Sequence, residues 1–166
     1  MEIERKFLLK EVPSTLDLTD RHHISQGYID TDPVVRIRRL DNDFILTIKS
    51  RGLVERIEIE KPLSEKEYNE LSTMVKGNLI DKDRYKIPLE DGLILELDIF
   101  HGSLEGLILA EIEFNDIEKA GTYKAPGYLT YEVSTKPEFQ NSSLSSMRIE
   151  EKKEFMLTID SMFNSK

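Results

Sequence analysis

Hydrophobic and polar positions alternate with a period of two through most of this chain, the spacing that sends successive side chains to opposite faces of a β-strand. The opening segment sets the pattern: Glu2, Glu4 and Lys6 share one face, while Ile3, Phe7 and Leu9 share the other. Gln26-Gly27-Tyr28-Ile29 reads as the end of a short strand, and Asp30-Thr31-Asp32-Pro33 as the turn after it. Residues 34–40 set Arg36 and Arg38 against Val35 and Ile37, and Asp41-Asn42-Asp43 is a hairpin signal. Residues 44–50 set Thr47 and Lys49 against Leu46 and Ile48; residues 55–60 set Arg56, Glu58 and Glu60 against Ile57 and Ile59. The same alternation returns over 81–88, with Lys82, Arg84 and Lys86 between Tyr85 and Ile87. It continues over 93–100, where Glu96 and Asp98 oppose Leu95, Leu97 and Ile99, and over 107–114, where Glu111 and Glu113 oppose Ile112 and Phe114. A further short strand surrounds Tyr131-Glu132-Val133.

Two stretches switch to helical spacing. Ser64-Glu65-Lys66-Glu67 has the form of a capping box, Ser64 at the N-cap and Glu67 three residues on. Tyr68, Leu71 and Val75 follow on one face, and Gly77 is the predicted residue just past the helix end. Ile149, Met156, Ile159 and Phe163 give the C-terminal segment its own apolar stripe. Both helices read as packing elements. Pro13-Ser14-Thr15 predicts a short helical turn, and 115–128 a helical turn mixed with loop.

These elements, seven or eight antiparallel-looking strands, predict an α+β, β-dominated fold: a closed or nearly closed β-barrel with a charged lumen and flanking helices on its apolar outside. The inverse arrangement, with an apolar interior and a charged exterior, is the runner-up and needs no function. No repeat, low-complexity tract or linker divides the 166 residues, so one domain over 1–166 is expected.

Charge narrows the picture. The net charge of -9, from 32 acids and 23 bases, argues against a DNA-binding or anionic-membrane surface. There is no cysteine, which excludes disulfides, thiolate metal sites and a cysteine nucleophile. The segment after Met1 is charged and lacks the apolar run of a signal peptide, and no stretch approaches the roughly 20 apolar residues of a membrane span, so cytoplasm is the expected compartment. Nothing in the residues decides oligomeric state, and a homodimer stays open.

The polar faces are unusual in what they carry. Opposite the apolar rows stand eight acids, Glu2, Glu4, Glu58, Glu60, Glu96, Asp98, Glu111 and Glu113. With them stand seven bases, Lys6, Arg36, Arg38, Lys49, Arg56, Lys82 and Arg84. One such row is an ordinary solvated face; repeated over strand after strand, the rows point to a shared cavity. Unit charges about 4 Å apart interact by roughly 1 kcal/mol in water and about 4 at an effective dielectric near 20. Clustered cations therefore need acids, metal or a polyanion to compensate them. A phosphate chain chelating Mg²⁺ or Mn²⁺ meets both needs, bases taking the non-bridging oxygens and carboxylates a hard cation. The chemistry that follows is metal-dependent attack at a phosphoryl centre.

The opening Glu2-Ile3-Glu4-Arg5-Lys6 resembles the Glu-x-Glu-x-Lys signature of the CYTH superfamily, the triphosphate tunnel metalloenzymes. Co-linear matches follow at Gln26-Gly27-Tyr28, Val35-Arg36-Ile37-Arg38, Leu46-Thr47-Ile48-Lys49, Arg56-x-Glu58-x-Glu60 and Lys82-x-Arg84-Tyr85. Glu96-x-Asp98-x-Phe100, Glu111-x-Glu113 and Glu132-Val133-Ser134 complete them, Ser134 standing where Thr is expected. Together these motifs resemble the short, single-domain bacterial members rather than the longer eukaryotic RNA-capping relatives.

The resemblance implies a closed eight-stranded antiparallel β-barrel, a tunnel that binds triphosphate-containing small molecules with divalent metal. It assigns Lys6, Arg36, Arg38, Lys49, Arg56, Lys82 and Arg84 to the phosphates and Glu2, Glu4, Asp98, Glu111 and Glu113 to the metal. Glu58, Glu60 and Glu96 would orient the bases or a water, and Tyr28, beside Lys6, matches a family position for a proton acceptor. A free tyrosine titrates near pH 10, so that role requires a nearby cation. The implied activity is hydrolysis of inorganic triphosphate to release orthophosphate. Class IV adenylate cyclase, which makes cyclic AMP from ATP, uses the same cradle and stays open, as does a polyphosphate- or nucleotide-binding module without turnover. His22, His23 and His101 have no metal-ligand spacing, and no Walker A, Gly-x-Gly-x-x-Gly or Gly-x-Ser-x-Gly motif occurs.

Overall fold

Among the described residues the stretches of period-two alternation form strands, and those strands join into one antiparallel sheet; the start of the 55–60 stretch lies outside the described residues. The structure, a computed structural model, describes residues 2–51 and 57–165. Among the described residues nine strands are present: β1 (Ile3–Leu9), β2 (Arg21–Thr31), β3 (Val34–Leu40), β4 (Asp43–Lys49), β5 (Glu58–Leu63), β6 (Lys76–Pro88), β7 (Ile94–Phe100), β8 (Ile108–Phe114) and β9 (Tyr131–Glu132). Four helices accompany them: α1 (Glu65–Ser72), α2 (Ile117–Thr122), α3 (Asn141–Ser146) and α4 (Ile149–Asn164).

The strand order is β5-β4-β3-β2-β6-β7-β8-β1-β9, with β5 and β9 as the edge strands among the described residues. The closed eight-stranded barrel expected from the sequence does not form; the sheet is open and has nine strands. Alternation specifies the face each residue takes, not which strand lies beside which. The free side of β1 that a closing strand would use is taken by β9, through Phe7↔Glu132 and Leu8↔Tyr131. Arg5 secures that arrangement: its guanidinium donates to both Glu132 oxygens at 2.8 and 2.7 Å and to the carbonyls of Ala120 and Tyr123. Ser134, in place of the expected Thr, still accepts the Lys6 backbone N–H at 2.9 Å.

The outer face of the sheet is apolar. Phe7, Leu9, Ile87, Leu95, Leu97, Ala110, Ile112 and Phe114 form one cluster beneath Ala120 of α2 and Leu129. Such burial contributes about 25 cal/mol per Å² of apolar surface, so this cluster helps to anchor β1 and β6–β8. The capping box of α1 is present: Ser64 Oγ accepts the Glu67 N–H, and the Ser64 N–H donates to the Glu67 carboxylate. Tyr68 on that helix meets Phe44 of β4 at a ring separation of 5.0 Å. The helix stops at Ser72, short of the predicted end. Gly77 instead lies in β6 at φ +75°, where a Cβ would come within 2.2 Å of the Ser145 carbonyl. Only glycine permits α3 to approach the strand this closely.

The inner face is divided. Its charged rows give way, two residues further along, to Leu8, Ile80, Phe100 and Leu109. These pack with Leu104, Phe139, Leu144 and Ile159, so α3 and α4 cover the apolar end of the inner face rather than flanking the outside. The sequence pattern alone could not separate these placements, because an apolar stripe on a helix fits either surface. Among the described residues no helix is long and apolar enough to cross a membrane.

Candidate active site

The charged half of the inner face encloses a cavity of about 720 Å³. Its described wall carries seven carboxylates, Glu2, Glu4, Glu58, Glu60, Glu96, Glu111 and Glu113, and five bases, Lys6, Arg36, Arg38, Lys49 and Arg84. Tyr28 is the one aromatic side chain among the described wall residues. Arg56 lies outside the described residues.

Register explains the contacts on the β1–β8 side. Lys6 opposes Glu111, and Glu4 opposes Glu113. Lys6 Nζ sits 3.0 Å from Glu111 and 3.7 Å from Glu4 and is only 6% exposed. Burial works against its charge, but Glu111 and Glu4 outweigh it and its pKa is raised. Burial and the neighbouring Glu111 push the Glu4 carboxyl up. Glu111 is lowered despite its burial, because Lys6 and Arg84 both face it.

Beneath the wall lies a buried ion cluster on β6 and β7. Asp98 is 1% exposed and binds Lys82 at 2.6 Å and Arg84 Nε at 2.7 Å. Burial alone would raise the Asp98 carboxyl, yet the two cations hold it far below the carboxylate range. Lys82, fully buried, also donates to Asn141 at 3.2 Å, and burial pushes its pKa down to about 8. Arg84 continues to Glu111 at 3.2 Å and pairs with Glu96, so carboxylates engage its whole fork; their charges raise its pKa despite burial. Lys82 and Asp98 thus support the wall rather than form it. Alternation placed them on the correct face, and the covering by α3 removed them from the cavity.

Arg36 and Arg38 on β3 meet neutral partners. Arg38 Nε donates to Gln26 Oε1 at 2.8 Å, and Arg36 Nη2 donates to Thr47 Oγ1 at 3.1 Å. Burial, with Arg36 and Arg84 nearby, pushes Arg38 down to about 10, so it stays charged at neutral pH. The buried Arg36 Nε has no hydrogen-bond partner among the described residues. Tyr28 stands opposite Arg36 in the register, and its hydroxyl receives Gln26 Nε2 at 3.4 Å. The cations facing Tyr28 are therefore on β3, while Lys6 is occupied by carboxylates. On β4, Lys49 Nζ reaches Glu2 at 2.8 Å. The sequence reading assigned no role to Gln26 or Thr47. Both lay within recognised motifs, but their position directly opposite the arginines exists only once the strands are paired.

The CYTH domain profile matches residues 1–125. The chain belongs to the CYTH family. It is 32% identical to an inorganic triphosphatase of Nitrosomonas europaea over 149 residues, covering 87% of this chain and 96% of that protein. An inorganic triphosphatase of Acetivibrio thermocellus is 35% identical over 147 residues, covering 86% and 92%. A solved structure of an inorganic triphosphatase superposes with a TM-score of 0.68 at 30% identity, over 89% of this chain and 96% of that one.

In this CYTH chain, the cavity-wall carboxylates, Glu2, Glu4 and Glu113 among them, are oxygen donors of the kind a divalent cation takes. Among the described residues no three His, Asp or Glu side chains form a ready cage for a metal ion. A small hard cation is commonly held by one or two carboxylates plus substrate phosphates rather than by protein alone. The histidines stand apart from this wall: His23 and His101 bond the two oxygens of Asp83 at 3.0 and 2.9 Å, joined by Arg21 at 2.9 Å.

Proposed function

We propose that this protein hydrolyses inorganic triphosphate, releasing orthophosphate, with Mg²⁺ or Mn²⁺ bound alongside the substrate, and that residues 1–166 act as one domain. The observation that carries the reading is the charge balance of the wall. Seven carboxylates against five bases would repel a bare polyanion, yet two arginines on that wall have no carboxylate partner among the described residues. A polyanion that arrives with a divalent cation satisfies both groups at once. The triphosphatase names of the two curated relatives support the choice of reaction. The packing of α3 and α4 into the sheet's core supports a single domain that runs beyond the matched residues.

In this reading Arg36, Arg38 and Lys49 hold the phosphoryl oxygens, and Lys6 and Arg84 share them with the carboxylates beside them. Lys82 and Asp98 brace Arg84 from below. Glu4 and Glu113, with Glu2, would hold the cation, which when bound neutralises charge on the phosphoryl oxygens and favours attack by water. Tyr28, opposite Arg36 in the register, is placed to accept the proton of the attacking water. Glu58 and Glu60 orient the bases from the β5 side. A nucleotide would want an apolar or aromatic surface for its base. Apart from Tyr28, the apolar side chains of the described wall are only Val34, Leu93 and Ile94, which favours the inorganic substrate over ATP.

The test is a product assay with tripolyphosphate and, separately, ATP, each with Mg²⁺ or Mn²⁺. Orthophosphate from tripolyphosphate is the expected product. Cyclic AMP as the main product from ATP would replace this reading with a cyclase, and tight binding without metal-stimulated phosphate release would replace it with a binding module.

A further inference from the structure

The cavity's bases fall into two classes according to what the adjacent strand sets opposite them. Lys6 opposes Glu111 and Arg84 opposes Asp98, so each is matched by a carboxylate. Arg38 opposes Gln26 and Arg36 opposes Thr47, so each of these is matched by an uncharged acceptor. Both acceptors are 0% exposed, and both make the hydrogen bond that the register allows, at 2.8 and 3.1 Å. Among the described residues neither guanidinium has an ion pair.

We propose that Gln26 and Thr47 are positioning residues that hold Arg38 and Arg36 in place without neutralising them, reserving both charges for the phosphoryl groups of the substrate. The inference rests on the triphosphatase reading and adds to it which cations are kept free and by what. A carboxylate at either position would make a stronger, charge-assisted bond to the arginine. It would also cancel the charge the site needs. A neutral acceptor satisfies one nitrogen, fixes the plane of the guanidinium and leaves its remaining donors for the planar fork that suits phosphate.

Gln26 is further specified by its second contact. With Oε1 engaged by Arg38, its Nε2 faces the Tyr28 hydroxyl at 3.4 Å, an orientation assigned from the hydrogen-bond pattern. A glutamate would supply no donor there. Thr47 is specified in a different way: its hydroxyl donates onward to Glu60 at 3.4 Å, keeping that acid one group removed from Arg36. Arg38 supports the same picture, since its lowered pKa reflects burial beside other cations.

Gln26→Glu and Gln26→Met separate charge from shape. Tripolyphosphate affinity would be measured by calorimetry, and KM and kcat with Mg²⁺, beside the thermal unfolding of each variant. Gln26→Glu is expected to unfold no earlier than the wild type while weakening tripolyphosphate binding, and raising KM, by at least about tenfold through loss of one unit of charge. Gln26→Met, which frees Arg38 but leaves it charged, should lose less affinity and lower kcat instead. Thr47→Asp and Thr47→Val give the same comparison at Arg36, and decide the matter should Gln26→Glu fail to fold. Wild-type affinity in the acidic variants, or equal losses in the acidic and apolar ones, would overturn the inference. A wild-type protein that binds tripolyphosphate but releases no phosphate would overturn the triphosphatase reading instead, while the ordering of affinities would still decide this one.

Discussion

Lys49 Nζ stands 2.8 Å from Glu2 Oε2, although β3, β2, β6, β7 and β8 separate β4 from β1 in the sheet. An open sheet brings such distant strands together only by curling, through the twist that every antiparallel sheet accumulates. The pair closes the cavity wall where backbone hydrogen bonds do not. Burial pushes the Glu2 carboxyl up, but the bond to Lys49 and its charge prevail and lower it.

Lys49→Met tests whether this contact serves binding or stability. Glu2 is 52% exposed, and ion pairs open to water contribute about 0–1 kcal/mol. Thermal unfolding should therefore shift by no more than about 2–4 °C. KM for tripolyphosphate should rise about tenfold, as expected for removal of a cation near the ligand. A large loss of stability with unchanged KM would make the pair a structural latch only.

Asp98→Asn should act in the opposite sense. It leaves Lys82 and Arg84 buried with their main counter-charge removed, and breaking a buried pair costs about 3–5 kcal/mol. Lys82→Met should cost less, because Asp98 keeps Arg84. Urea unfolding of the two variants checks the order, and equal stabilities would refute the assignment of Asp98 as the centre of this cluster.

Acid sensitivity should be traceable in part to Asp83. Burial opposes its ionisation, but bonds from His23, His101 and Arg21 hold its pKa down to about 2, below the ordinary 3.8. A depressed carboxylate contributes stability above its unfolded pKa and loses it as the pH falls through the folded one. Asp83→Asn should thus be less stable than the wild type at neutral pH, with the gap closing between pH 3.8 and about 2. Unfolding temperatures across that range measure it, and a gap independent of pH would exclude the ionised form as its source.

Chelation should abolish phosphate release, and added Mg²⁺ or Mn²⁺ should restore it. Glu4→Gln and Glu113→Gln should each raise the metal concentration for half-maximal rate by at least about tenfold, the scale on which a hard cation responds to losing one of few carboxylates. A metal titration reads this directly. Unchanged titrations in both variants would move the cation site elsewhere on the wall.

The sequence by itself determined the strands, the face each side chain takes and the acid–base character of that face, because a period of two is a local property of the backbone. Glu2, Glu4, Lys6, Arg36, Arg38, Lys49, Arg84, Glu111 and Glu113 could be gathered from that alone, and all line one cavity. Edge pairing and depth were not local. Alternation is the same for a closed barrel and an open sheet, and only the docking of β9 on β1 decided between them. Lys82 and Arg84 look alike two residues apart, yet the covering of one end of the sheet by α3 and α4 put the first beneath the wall and left the second on it. Gln26 and Thr47 carried no charge to draw notice. Their part in the site arises from register, a relation between strands distant in the chain, and register is decided by tertiary packing.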